Sequence, residues 1–362
     1  MGSVQWGYLL PSAAIGLPRG KIRHWESHED RPPRVGDVVY GRIARIGQHS
    51  SLENAAGRIH HIYGGTRAVF VFGNRYAPDY YEGVVPERWQ PEADLLARSG
   101  IVGVMRAKNS RIKDPTRVEL WGYVRGPGGA IMSTLDHPLV RPRTEILRFP
   151  RARMILVCGT AMNSGKSMAA AACCWALTSL GLRVRASKLT GTASLKDILH
   201  MNDAGAHPYA DFTFLGYPST YLLPESDLLR IFRHLDLKYA NNAHNFWVVE
   251  LADGVGQRET AMLLESEQVR SRIHRLIFCA ADALGARGGL QTLGERFGLT
   301  PHALSGLCCC SPLHLRELRE LTALPAFNSA EVSPPELAPL LLGDAGGAAS
   351  TRLAPASPAT QG

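Results

Sequence analysis

The hydrophobic rhythm of the chain changes near residue 150. Before that point, short apolar stretches alternate with polar residues and are cut by turn signals. VGDVVYGRIARIG, residues 35–47, alternates and is broken by glycine. Residues 58–63, 66–72, 101–107 and 117–124 have the same character. Tyr63-Gly64-Gly65, Phe72-Gly73-Asn74 and Lys113-Asp114-Pro115 punctuate them. Only residues 91–99 read as a short helix. Many short strands with such turns predict a small, mostly antiparallel, barrel-like β domain over residues 35–125. Residues 1–34, rich in proline, glycine and charge, read as an extended arm. Residues 126–150 contain RGPGGA and HPLVRPR and read as a linker.

From Arg151 the apolar runs become continuous. Met154-Ile155-Leu156-Val157 has no alternation, as expected of a parallel strand covered on both faces. Helices are predicted over 167–180, 196–203, 259–271 and 289–298, and one within 225–242. Strands are predicted over 181–187, 246–250, 274–280 and 302–309. Strands and helices in turn predict an α/β domain with a largely parallel sheet over residues 151–342. The tail, 343–362, is mostly Ala, Gly, Ser, Thr and Pro. It cannot supply a core and reads as disordered.

Composition sharpens this picture in three ways. No apolar run approaches the length of a membrane span, and MGSVQWGYLLPSAAIG has no basic segment ahead of its apolar part. The expectation is a cytoplasmic protein that engages no membrane. The formal charge of +8 is uneven: residues 1–150 carry 21 basic and 14 acidic side chains, the remainder 19 and 18. No aromatic-interleaved basic stripe accompanies the excess, so no nucleic-acid partner is expected. The cysteines are seven, several adjacent, and none forms a C-x-x-C pair. They read as buried free thiols rather than a disulfide framework or zinc site.

The chemistry is concentrated in VCGTAMNSGKSMAAAACCWAL, residues 157–177. An apolar strand runs through glycines and Gly165-Lys166-Ser167 into an alanine-rich helix. Five residues separate Gly159 from Gly165, one more than the commonest phosphate loop allows. The physics tolerates the extra residue. Successive backbone N–H groups must curl around a polyanion, and the orphan N–H groups of the following helix must meet it. Lys166 supplies a point charge for the outer phosphates, and Ser167 a hydroxyl for Mg²⁺. Gly159, Thr160, Asn163, Ser164, Gly165, Lys166, Ser167 and Met168 are therefore the candidate nucleotide-binding residues, with ATP and Mg²⁺ as expected cofactors.

This long loop, GTAMNSGKS, resembles that of dethiobiotin synthetase and its relatives of the cobyric acid synthase type. Three later segments extend the resemblance over residues 154–325. SKLTGT, residues 187–192, is similar to a Lys-Pro-Val segment ending in glycine, with Lys188 at the lysine and Leu189 in place of proline. Asn202-Asp203-Ala204 stands where a magnesium-binding aspartate is expected. The third strand ends in Glu250 where the family has Glu-Gly-Ala-Gly-Gly, with Leu251 for the first glycine and Asp253 as an extra acid. The partition ATPases of the same broad class carry an extra early lysine; Ala161 stands at that position. DAGAHPYADFTFLG, residues 203–216, also bears a weaker similarity to an uncharacterised two-domain P-loop family linked to D-amino-acid N-acetylation or racemisation.

The resemblance implies that Lys166, Lys188 and Glu250 are catalytic and that Ser167, Asp203 and Glu250 hold Mg²⁺, with Asp253 or Asp211 as substitutes. Thr190, Gly191, Asp253 and Arg287, the last in a GARGG loop, are the substrate-binding candidates. It implies an ATP-dependent ligase or kinase that phosphorylates a carboxylate or carbamate of a small acidic substrate and works as a homodimer. Alternatives are a nucleotide-switched protein-binding ATPase, or an acyltransferase that holds coenzyme A in the loop. In the first 150 residues, Arg75, Tyr76 and Asp79 of GNRYAPDYYEG read either as a packed aromatic turn or as a substrate-facing loop.

Overall fold

The computed structural model describes residues 1–5, 7–27, 30–141 and 147–343. The expected disordered tail lies outside them, apart from Gly343. The strands of the first half are β1 (Gly2–Ser3), β2 (His24–Glu26), β3 (Val38–Arg45), β4 (Ser51–Glu53), β5 (Ile59–His61) and β6 (Arg67–Phe72). They continue with β7 (Arg75–Tyr76), β8 (Tyr81–Val84), β9 (Glu92–Ala97), β10 (Ile101–Lys108) and β11 (Thr116–Arg125). Five of them close on themselves in the order β11, β3, β6, β10, β9 and back to β11. Only the short β6–β10 pairing in this ring is parallel. Phe70, Phe72, Leu95, Val102, Val118 and Tyr123 are buried together in one cluster of this domain. The barrel leaves no open edge between these five strands, which removes a site of unwanted pairing.

Two expectations for this half are corrected. Residues 91–99 are not helical; they hold the barrel-closing strand β9. Ala93 to Ala97 are buried throughout, so the alternation that marks a strand is lost and Glu, Ala and Leu look helical. The described residues among 1–34 are not a free arm either. Tyr8, Leu10, Ala13, Leu17 and Ile22 are buried against barrel residues Val38, Tyr40, Val69 and Leu96, and β2 pairs with β11. The linker expected over 126–150 is a strap. Met132 is bonded to Val38 and Val124 of the barrel, while Leu139 and Val140 donate to the Phe214 carbonyl of the second domain. Residues 142–146 of it lie outside the described residues.

The second half contains β12 (Arg153–Gly159), α1 (Lys166–Ser179), β13 (Arg183–Lys188), α2 (Leu195–Asp203), β14 (Tyr209–Asp211) and α3 (Glu225–Tyr239). These lead to β15 (Asn245–Glu250), α4 (Arg258–Glu265), α5 (Glu267–Arg270), β16 (Ile273–Cys279) and α6 (Ala283–Phe297). The half ends with β17 (Ala303–Ser305), α7 (Pro312–Leu321) and α8 (Pro334–Leu342). All six strands are parallel, in the order β14, β13, β15, β12, β16, β17. Helices α1, α2 and α8 bury one face of the sheet, and α3, α4, α6 and α7 the other. Covering on both sides explains the unbroken apolar runs of β12 and β15. The fold is thus a largely parallel α/β domain behind a mostly β domain. Among the described residues no helix is long and apolar enough to cross a membrane.

Candidate functional site

Register alone brings the first side chains together. On adjacent parallel strands Val157 faces Glu250, and Glu250 faces Lys188. The loop from Gly159 to Lys166, Lys188 and Glu250 therefore emerge at the carboxyl edge of the sheet, where open α/β sheets bind ligands. The loop is held by its neighbours: Thr160 N donates to Cys279 O at 2.9 Å, and Val255 N to Gly159 O at 2.9 Å. Asn163 (φ 62°) and Gly165 (φ 96°) turn it through the left-handed region. Gly165 has a further reason to lack a side chain, since a Cβ there would sit 2.7 Å from Gly306 Cα. Asn163 also donates to Asp79 of the barrel, so the loop tip is tied across the domain boundary.

Ser167, Glu250, Lys188 and Asp197 form one chain of contacts, and Lys166 stands beside it. Lys166 Nζ donates to the Ala161 carbonyl at 2.7 Å, inside its own loop. Ser167 Oγ donates to Glu250 Oε1 at 3.1 Å. Lys188 Nζ lies 3.7 Å from the same Oε1 and is paired with Asp197. The other carboxylate oxygen, Glu250 Oε2, is buried with no partner. Burial lowers the Lys166 pKa, opposed by Glu250. Burial likewise opposes the charge on Lys188, yet Asp197 and Glu250 hold its ammonium well above the ordinary value. Burial raises the Glu250 carboxyl, opposed by Lys188. Asp253, in a left-handed backbone conformation (φ 57°), is raised by burial too. Perturbed groups gathered in one cleft make it the candidate functional site.

Four expected site residues stand elsewhere. Asp203 is exposed at the last position of α2 and does not line the cleft. Asp197, six residues earlier on the same helix, lines the cleft and is paired with Lys188. Arg287 is exposed in the second turn of α6; GARGG is helical here, with Asp282 capping the helix. Thr190 is buried and accepts from Ala252 N at 2.8 Å, which braces the loop after β13 rather than facing the cleft. Asp211 is also interior: it caps Thr213, and burial pushes its carboxyl up to about 6. Gly191, Asp253, Asn163, Gly165, Ser167 and Met168 do line the cleft.

Mg²⁺ binds hard oxygens in octahedral order and keeps several waters. Among the described residues no cluster of three His, Cys, Asp or Glu side chains forms a protein cage for a metal. The donor set fits instead an ion shared between protein and phosphate. Ser167 Oγ and the orphaned Glu250 Oε2 are the donors such an ion would use, with Asp197 beside them. The cysteines do not enter this set. Six of the seven are buried, Cys310 is exposed, and all are free. Burial pushes the Cys158 and Cys173 thiols up to about 12.

The cleft is closed on its far side by the barrel, which gives a cavity of about 500 Å³. The loop containing Arg75, Tyr76 and Tyr80 lines it and is at the same time packed, with Tyr80 against His49 and Tyr76 against Tyr221. The barrel also positions the site's acid. Glu53 of β4 accepts from Leu195 N at 2.8 Å and from Ser194 Oγ at 3.3 Å, capping the helix that carries Asp197. Glu53→Ala leaves that helix end without its acceptor in a buried setting. The expected cost is about 2 kcal/mol of stability. Any nucleotide turnover should fall with it, because Asp197 loses its fixed position. Thermal unfolding and ADP release measured on the same variant check both effects.

The strand, long glycine loop and lysine-started helix define the class: a P-loop α/β fold of the nucleoside-triphosphatase type. No family profile matches the chain, and no curated protein matches it. Among solved structures the chain is similar to the signal recognition particle receptor FtsY from Elizabethkingia anophelis, in complex with GDP. That match has 12% identity and a TM-score of 0.35 over 58% of this chain and 70% of that one. It is similar to a ParA family ATPase from Chlorobium tepidum TLS at 13% identity and TM-score 0.32, over 49% of this chain and 82% of that one. It is also similar to the 54 kDa signal recognition particle protein from Aeropyrum pernix K1 in complex with GDP. There the identity is 13% and the TM-score 0.34, over 58% and 50% of the two chains. Likenesses this distant carry no activity across, and the site is read on its own geometry.

Proposed function

We propose that the protein is an ATP- and Mg²⁺-dependent ligase or kinase acting on a small acidic molecule. One observation carries the reading. The lysine loop opens into a partly open cavity of about 500 Å³ between two domains, not onto a flat surface. Such a space suits a nucleotide's phosphates and a small acceptor, and excludes water from a reactive intermediate. Lys166 and Lys188 face the transferring group and stabilise the charge that spreads over its oxygens. A carboxylate or carbamate oxygen of the acceptor attacks the γ-phosphorus as the bond to the β-phosphate oxygen breaks, releasing ADP. The acceptor is already ionised, so Glu250 need not remove a proton. Mg²⁺ when bound would neutralise charge on the β- and γ-phosphates beside Ser167 and Glu250. In a ligase, an amine then attacks the acyl carbon, phosphate leaves, and the amine's proton passes to solvent.

The length of the loop and the placement of Lys188 and Glu250 support kinship with the dethiobiotin synthetase type. The extra acid Asp253 and Leu251 after Glu250 set this chain apart from it. The purified full chain with ATP and Mg²⁺ is incubated with pools of carboxylates and amines, and ADP release is followed. Release stimulated by a small carboxylate, alone or with an amine, is the expected result. Stimulation by a macromolecule alone would overturn the reading in favour of a nucleotide switch. Tight coenzyme A binding without ADP formation would overturn it in favour of acyl transfer.

A further inference from the structure

Opposite the phosphate loop, the barrel places a cation where a protein rarely leaves one. Arg75 is only 7% exposed. Among the described residues no carboxylate lies within ion-pair distance of it. Its hydrogen bond is from Nη1 to His49 Nε2 at 2.9 Å. Tyr80 covers one face of the guanidinium, 5.1 Å from its ring centroid. Nε is buried without a partner. Burial lowers the Arg75 pKa only to about 10, so it stays charged at neutral pH. His49, lowered to about 3 by burial and by Arg75, is neutral there and supplies no counter-charge. His49 Nε2 also lies 3.1 Å from the Leu96 carbonyl. One nitrogen cannot accept from Arg75 and donate to Leu96 at once, so either tautomer leaves a polar group unmet. On the same cavity wall Ser99 Oγ is buried and has no partner.

A buried, unpaired cation beside an orphaned hydroxyl is costly unless something from outside completes it. The Nε and Nη2 hydrogens of an arginine point the same way, and that fork fits the two oxygens of a carboxylate. With Tyr80 over one face, a planar acid in the guanidinium plane suits the site better than a tetrahedral phosphate. We propose that the barrel wall is a carboxylate subsite, in which the Nε–Nη2 edge of Arg75 and the Ser99 hydroxyl hold one acid group of a small dicarboxylate whose other end reaches the phosphate loop. The subsite itself stands on the geometry of Arg75; that the second acid is the phosphoryl acceptor rests on the ligase or kinase reading. It gives the barrel a role in selecting the substrate, with exposed Arg98 and Lys196 at the cavity adding positive charge that draws an anion in.

The test uses the full chain saturated with Mg²⁺–ADP, titrated calorimetrically with succinate and glutarate, and with succinamide and inorganic phosphate as comparators. Binding of a dicarboxylate but not of succinamide is expected, weakened about 10-fold or more in Arg75→Gln and less in Ser99→Ala, with ADP affinity unchanged. Equal dicarboxylate affinity in folded Arg75→Gln, or Arg75-dependent binding of phosphate in place of dicarboxylate, overturns the subsite. If Arg75→Gln does not fold, the Arg75 Nε–H resonance of the unmodified chain, assigned with Arg75→Lys, decides. It must move on titration with the dicarboxylate, and a static resonance overturns the proposal. Lys166→Ala separates the two ideas. If it retains both ADP and dicarboxylate binding, the phosphate-loop reading fails and the subsite survives.

Discussion

Lys166→Ala is expected to weaken Mg²⁺–ATP binding about 100-fold or more, on the order of 3 kcal/mol for a lost charge-assisted contact to a polyanion. The fold should survive. Lys166 is the first residue of α1, its ammonium is disfavoured by burial, and its hydrogen bond in the free protein is to a carbonyl of its own loop. Alanine at that position leaves the helix start intact and removes a buried charge. Calorimetric titration with Mg²⁺–ATP, paired with a thermal unfolding curve, separates loss of binding from loss of structure. Unchanged affinity in a folded variant would mean that the loop does not hold phosphates. The proposed reaction would then have no donor.

Glu250→Gln is expected to cut ATP turnover about 100- to 1000-fold, the scale on which one preorganised charge acts in an active site. The same change should stabilise the protein without ligand. Burial raises the Glu250 carboxyl above its ordinary value. A carboxyl shifted upward contributes stability below its unfolded pKa of 4.5 and loses it as pH rises through the folded value. The unliganded protein should therefore lose stability as pH climbs through that window, and Glu250→Gln should lack this loss. Mg²⁺ needs the charged form, so its apparent affinity should rise over the same window in the unmodified chain and stay flat in the variant. Glutamine still accepts from Ser167, and the Lys188–Asp197 pair stays balanced. Thermal unfolding and Mg²⁺ titration across pH check the two signs. A variant that turns over ATP at the original rate would remove Glu250 from the site.

Much of the site could be read from local spacing. Gly159, Lys166 and Ser167 belong to one loop, and Lys188 and Glu250 end two buried strands whose apolar runs are unmistakable. Where the reading placed side chains beyond these segments, it slipped. Asp203 and Asp197 share α2, but the cleft is lined by Lys196, Asp197 and His200 and not by the end of the helix that carries Asp203. Arg287 looked like a loop residue because glycines flank it, yet the cap from Asp282 Oδ1 to Gly285 N starts a helix through them. On the barrel side, Arg75 and its neighbours could be noticed as an unusual cluster, but no local signal told a packed turn from a cavity wall. Glu53 gave no signal at all, because what it caps lies in the other domain.

The sequence by itself determined the two-part architecture, the parallel sheet and the strand, glycine loop and helix around Lys166. These follow from hydrophobic periodicity and from a contiguous nine-residue loop, and both are local properties of a chain. Tertiary structure decided which acid lines the cleft, that the described part of residues 1–34 packs on the barrel, and that Arg75 Nε and Ser99 Oγ are left buried without partners. Those outcomes depend on which surfaces meet when two domains close over one cavity. Burial and missing partners arise only from contacts between residues far apart in the chain.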